Sequence, residues 1–179
     1  MPPIRKGDGT PVTPKGISQI RTGDGRILFD GVAIPDTVVS RPDDDNNASV
    51  TDSFGLVIKP SSTFNSVGVE ISNNTSNATR ARLYDFESDI YIATEDISGF
   101  SSGDAFKINQ EIEEAKEYAI ELDANGSSYT LGFRDNEQNF PYTGDEIDIV
   151  AASSEGSQST SSFDVQAVNN VGNPQDILD

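Results

Sequence analysis

Any chemistry in this chain falls to carboxylates, hydroxyls and amides. Its 179 residues include no histidine and no cysteine, against 30 aspartates and glutamates. Without histidine the usual general base is missing, the commonest metal ligand is missing, and a Ser-His-Asp arrangement cannot be built. Without cysteine, disulfides and thiolate metal sites are excluded. The acids could still hold a hard cation, which takes several oxygen ligands. Asp43, Asp44 and Asp45, beside Asn46 and Asn47, are candidate Ca²⁺ ligands, although they lack EF-hand spacing. Asp145, Glu146 and Asp148 in "TGDEID" are a second candidate set and read equally well as a solvated loop. A glycosidase needs two carboxylates held across a cleft; so many acids make many pairs, and no pair stands out. No Gly-x-Ser-x-Gly elbow is present to activate a serine. The expectation is a protein that is not an enzyme and carries no cofactor, with Ca²⁺ the one ion for which ligands can be named.

Recognition is the chemistry that remains. The stretch "FRDNEQNFPY" (Phe133–Tyr142) brings Phe133, Phe140 and Tyr142 near Arg134, Asn136 and Gln138. Aromatic faces stack on sugar rings while amide and guanidinium groups bond hydroxyls, so these six are candidate glycan-binding residues. The alternative keeps Tyr118, Tyr129 and Phe133 in a core, with the loop covering one end of the fold. Asn-x-Ser/Thr sequons at Asn47, Asn73, Asn74, Asn77 and Asn125 mark surface turns.

Charge narrows the partners. Twelve basic residues leave a net charge of −18, a surface that repels nucleic acid and anionic lipid. No apolar run reaches the ~18 residues of a membrane span, and Met-Pro-Pro-Ile-Arg-Lys lacks the apolar run of a signal peptide. Two readings of the acidity compete. One is an ordinary acidic protein. The other, preferred because the acids are spread through a patterned chain and lysine numbers only five, is adaptation to molar salt. There the Debye length falls to about 3 Å and crowded carboxylates cease to repel strongly. The charge is also divided along the chain. Residues 1–41 carry six basic and four acidic residues, net +2, whereas residues 42–179 carry six basic and 26 acidic, net −20.

These groups must be positioned by two kinds of segment. Residues 1–46 read as an extended N-terminal arm and linker. They hold six of the nine prolines, which rules out a regular helix. The block Ile4-Arg5-Lys6-Gly7-Asp8-Gly9 returns as Ile20-Arg21-Thr22-Gly23-Asp24-Gly25, and the second Gly-Asp-Gly separates Ile17–Arg21 from Arg26–Phe29 as a small hairpin would require. Ile4, Arg5, Ile17, Ile20, Arg21, Ile27, Leu28, Phe29 and Ile34 are candidate assembly contacts, because a segment this apolar needs something to pack on. "RPDDDNN" (Arg41–Asn47) reads as the linker. From residue 47 to 168 short runs alternate with period two: Phe54/Leu56/Ile58, Val67/Val69/Ile71, Ala81/Leu83, Ile90/Ile92, Phe106/Ile108, Tyr118/Ile120/Leu122, Tyr129/Leu131/Phe133, Ile147/Ile149 and Phe163/Val165. So many short strands imply an all-β domain, an antiparallel β-sandwich or jelly roll, with one face of each strand buried. "NQEIEEAKEYAIEL" (Asn109–Leu122) is compatible with a helix, but the preferred reading is an acidic loop to Ala115 followed by a strand. Asn125-Gly126 then predicts a hairpin between that strand and Tyr129–Phe133. Residues 169–179 read as a short C-terminal tail.

Together these features resemble structural proteins of tailed viruses of halophilic archaea. "IRTGDGRILFDGVAIPD" is similar to N-terminal attachment segments of tail and fibre proteins. "YAIELDANGSSYTLGFRDNEQNFPYTGDEIDIVAAS" is similar to jelly-roll-like β-sandwich modules in tail and surface proteins. The resemblance implies a virion component of tail-fibre, baseplate or capsid-decorating type, at the particle surface and extracellular in high salt. Its partners would be further copies of itself, as a homotrimer or homopentamer, and other virion proteins. The sequence reading adds host surface glycans as the ligand of an alternative adhesion role.

Overall fold

The computed structural model describes residues 20–21, 27–29, 38–40, 46–135, 140–159, 163–165, 168–172 and 174–178. The chain divides into two compact units, Met1–Pro35 and Asp36–Asp179. In the first, β1 (Ile20–Arg21) and β2 (Ile27–Phe29) pair antiparallel. This is the expected pairing across Gly23-Asp24-Gly25, with shorter strands.

The second unit is all-β. It comprises β3 (Val38–Ser40), β4 (Asn46–Val50), β5 (Phe54–Pro60), β6 (Val67–Ile71), β7 (Arg80–Asp85), β8 (Ile90–Asp96), β9 (Ala105–Ile108), β10 (Tyr118–Asp123), β11 (Tyr129–Asp135), β12 (Ile147–Ser154), β13 (Ser157–Ser159), β14 (Phe163–Val165) and β15 (Val168–Gly172), closed by one helical turn, α1 (Pro174–Ile177). A six-stranded sheet runs β13-β12-β5-β10-β7-β8, and the other strands form sheets β14-β11-β4 and β3-β15-β6-β9. The pairings are antiparallel. The arrangement is the expected antiparallel β-sandwich. Leu56, Ile58, Ile120 and Leu122 from the large sheet share one core with Val69, Ile108 and Val171 of the four-stranded sheet and Leu131 of the three-stranded sheet. Each such side chain contributes about 1.5–3 kcal/mol on burial, so the shared core rather than strand propensity holds the sheets together.

Several expectations are revised by these pairings. Asn125 and Gly126 do turn the chain, both at positive φ (52° and 84°), but β10 and β11 do not form a hairpin. Both edges of β10 are already occupied, by β5 and β7. β11 crosses the core to pair with β4 and β14, and the Tyr129 hydroxyl donates to the Leu122 carbonyl at 2.8 Å where the two strands part. The segment read as a tail supplies β15, flanked by β3 and β6, with Val168 and Val171 fully buried. Val38 and Val39, read as part of the arm, lie in β3 of that same sheet, and Asn46 and Asn47, read as linker, begin β4. Over 109–122 the strand does begin after Ala115, which sits at φ 63°.

The central strands also depart from one-sided burial. All six residues of β10 are buried, Glu121 and Asp123 included. Beside them Gly55 makes a close approach: an added Cβ would lie 1.7 Å from the Ile120 carbonyl oxygen. Gly55 is the register partner of both Glu121 on β10 and Ser153 on β12. Its missing side chain lets the β5 and β10 backbones come this close, and the Ser153 hydroxyl reaches Glu121 across the same strand at 2.5 Å. Gly55→Ala is therefore expected to force β5 and β10 apart and cost about 3 kcal/mol, measurable as a lowered urea midpoint.

Candidate functional site

Among the described residues, the outer face of the six-stranded sheet carries the two most heavily bonded buried carboxylates, Glu121 and Asp123. Alternation puts Arg80 and Arg82 on the same face of β7, and Glu121 and Asp123 on the same face of β10; Glu121 is paired in register with Arg82 and Asp123 with Arg80. The Glu121 side chain has no solvent exposure. Its Oε2 accepts from the Ser53 and Tyr91 hydroxyls, each at 2.7 Å. Its Oε1 accepts from the Ser153 hydroxyl at 2.5 Å and the Gly156 N–H at 2.9 Å. Four donors match the roughly four acceptor sites of a carboxylate. Burial and the bond to Glu121 both raise the Tyr91 pKa, so its hydroxyl stays a donor. The Arg82 guanidinium lies 3.9 Å from the Tyr91 ring centroid, a cation–π contact.

Asp123 is the second buried carboxylate. Its Oδ1 accepts from Arg80 Nε at 2.8 Å and from the Asn125 N–H at 2.7 Å, and its Oδ2 lies 2.7 Å from Arg82 Nε. Burial pushes this carboxyl up, but the Arg80 hydrogen bond, the Asn125 N–H and the two arginine charges outweigh it and hold it below its ordinary value. The turn between β12 and β13 roofs the cluster. Glu155 and Gly156 both have positive φ, the signature of a tight hairpin turn. A Cβ on Gly156 would strike the Tyr84 ring at 2.8 Å. Tyr84 in turn packs edge-on against Phe86 and Tyr91 and donates to Asp89; that bond, with burial, pushes its pKa up to about 12. With its acceptor sites filled, Glu121 ties strands together and presents no open oxygen to a ligand.

The candidate residues fall elsewhere. Asp43, Asp44 and Asp45 lie outside the described residues, as do Ile4, Arg5, Ile17 and Ile34. Ile20, Arg21, Ile27, Leu28 and Phe29 are described in backbone only, in the β1–β2 pair. Asp145, Glu146 and Asp148 are not assembled into a cation site. Asp148 accepts from the Gly144 N–H at 3.2 Å, and among the described residues no three acidic side chains converge on a common point. In the stretch Phe133–Tyr142, read above as a candidate for glycan binding, Asn136, Gln138 and the Arg134 side chain are outside the described residues. Phe140 and Tyr142, on either side of a cis Phe140–Pro141 bond, pack edge to face at 5.4 Å against the core. Tyr142 is pinned by two backbone bonds to Ile149, at 2.8 and 2.9 Å. Tyr118 and Tyr129 are core.

Among the described residues the exposed aromatic ring is Phe100, which lies outside the Phe133–Tyr142 stretch that the sequence favours for sugar binding. It packs edge-on against Phe106. A shallow cleft of about 330 Å³ lined by Phe100, Ser98 and Asp104 meets at Ser98 a second of about 370 Å³ lined by Thr94, Asp96, Arg80 and Asn125. No family model matches this sequence, and neither a curated protein nor a solved structure matches it.

Two outcomes are expected from the polar cluster. Glu121→Ala strands four donors in a buried site and is expected to cost about 3–5 kcal/mol, whereas Tyr91→Phe, which removes one donor, is expected to cost about 1–2 kcal/mol; urea denaturation measures both. Asp123, with its folded pKa lowered from the ordinary 3.8, contributes stability that is fully present above that value and lost as pH falls through the folded one. Asp123→Asn is expected to lower stability at neutral pH and to flatten the decline below about pH 4, seen as urea midpoints across acid pH.

Proposed function

We propose that this chain is a virion structural or accessory protein whose leading segment anchors it in a symmetric assembly while its acidic sandwich is displayed outward in high salt. The observation that carries this reading is the coincidence of the structural and electrostatic divisions. Met1–Pro35 is one compact unit and Asp36–Asp179 another. The first holds five basic and three acidic residues, net +2, and the second seven and 27, net −20. The body has its own core. It also spends cations internally: Lys59 pairs with Glu117, Arg80 and Arg82 with Asp123, and Lys116 with Glu87 and Glu113. Apart from the buried Glu121 and Asp85, acids such as Glu111, Glu114 and Asp145 face outward, toward brine or a neighbour's basic arm.

In molar salt exposed ion pairs are screened and contribute little. Assembly must therefore rest on the apolar arm residues Ile17, Ile20, Ile27, Leu28, Phe29 and Ile34, with repetition in a symmetric particle adding weak contacts as avidity. The resemblance to tail and surface proteins of halophilic archaeal viruses supports the same reading, with a homotrimer or homopentamer as the unit. A carbohydrate-binding role for the displayed body is the second reading, favoured by the exposed ring of Phe100.

The test is deletion of residues 1–35, a cut that leaves β3 and β4 in their sheets. The shortened chain is expected to keep the circular dichroism and melting of a folded sandwich. Light scattering in molar potassium chloride is expected to show it as a monomer where the full chain is oligomeric. A shortened chain that assembles as the full one does would overturn the anchor.

A further inference from the structure

The segment carrying Phe100 is fastened on both sides. The Phe100 N–H donates to the Ile97 carbonyl at 3.0 Å, and the Ser101 N–H to Asp104 Oδ2 at 2.7 Å. Gly103 and Asp104 exchange backbone bonds with Ile71, both at 3.0 Å, and the Ser102 hydroxyl donates to the Thr75 carbonyl at 2.6 Å. With Phe106 packed edge-on behind it, the ring is held at 37% exposure rather than folded into the core. An apolar group this exposed on a fastened loop costs little ordering entropy when it meets a ligand.

The neighbouring groups decide the ligand. Beside the ring, Ser98, Asp96, Thr94 and Asn125 line the two clefts, which share Ser98, with hydroxyl, carboxylate and amide groups, and the one arginine of the lining, Arg80, is held by Asp123 at 2.8 Å. Both are shallow and open to solvent, so a ligand there lies along the surface rather than inside an enclosed pocket. The Ser98 hydroxyl and N–H hold the Asp96 carboxyl below its ordinary range, so it remains an acceptor. An aromatic face flanked by acceptors and donors matches a pyranose, with its apolar C–H face and its rim of hydroxyls. Asp96 and Asp104, on a body of net charge −20, repel an anionic sugar. We propose that the cleft running from Phe100 across Ser98 to Asp96 and Asn125 binds a neutral oligosaccharide. This gives the second reading above its ligand class and rests on that reading.

The test uses the full chain and a panel of neutral hexaoses of glucose, mannose and galactose in α and β linkage, with oligogalacturonate as the anionic counterpart. Binding is followed by saturation-transfer NMR and by backbone amide shifts at millimolar sugar. At least one neutral hexaose is expected to shift amides of residues 94–104 and 125. Phe100→Ala is expected to weaken it about tenfold, and Phe100→Trp to retain it. Thr94→Arg, which fills the cleft from an exposed strand position, is expected to abolish binding while leaving the core untouched. Shifts confined to residues 133–142 would keep the second reading and overturn this cleft. Preference for oligogalacturonate would overturn the neutral assignment, and a panel with no binder would overturn cleft and second reading together.

Discussion

The Glu121 carboxylate, sealed into the centre of the six-stranded sheet, is the constraint on which the sandwich depends. Its four donors come from Ser53 ahead of β5, Tyr91 on β8, Ser153 on β12 and the Gly156 N–H in the β12–β13 turn. Only when those four segments lie at one register is the carboxylate satisfied; any slip leaves a buried acceptor without donors, at a cost of kilocalories. A residue with no side chain at position 55 is part of the same arrangement, since the bond between Ser153 and Glu121 spans the strand that Gly55 occupies. The apolar core supplies the larger energy but tolerates exchange among residues of similar size. The polar cluster supplies register, which in a period-two structure decides which face is buried.

The same cluster shows how a chain this acidic keeps charge within its fold. Asp123 is neutralised by Arg80 and Arg82, and Arg82 also caps the Tyr91 ring. Asp85, another buried acid, accepts from the Glu87 N–H and the Ser88 hydroxyl. Burial alone would raise its pKa, and these bonds with the Lys116 charge bring it below the ordinary range. Carboxylates that enter the fold are thus met by specific donors. Those on the surface, such as Glu111, Glu114 and Asp145, stand exposed, where salt and water are the partners. The two populations answer to different conditions: screening removes the mutual repulsion of the exposed set, whereas pairs held in a low-dielectric interior are screened far less.

Alternation of apolar residues placed nine of the thirteen described strands of the larger unit, because β-branched and aromatic side chains at every second position have few other ways to be buried. Phe54–Ile58, Val67–Ile71, Tyr118–Leu122 and Ile147–Ala151 all lie in strands as their patterns predict. Alternation misled where partners mattered. Asn125-Gly126 has the backbone of a hairpin turn yet joins strands of different sheets, since a turn's local geometry carries no information about which strand edges are already taken. "NNVGNPQDILD" has too few apolar residues to announce a strand, but Val171, with Val168 just ahead of it, suffices when β3 and β6 flank the segment.

By itself, then, the sequence determined the all-β class, the positions of most central strands, the partition of charge and the absence of imidazole and thiol chemistry, since these follow from residue types and short-range spacing. Only the tertiary structure decided which acids are buried and which ring is exposed. Glu121 and Asp123 alternate with apolar neighbours as any solvated face would, and their burial comes from residues 30 to 70 positions away. Phe100 is of a type usually buried, yet on a loop fastened to Ile71 of β6 it stays exposed while Phe106, edge-on to it, is buried.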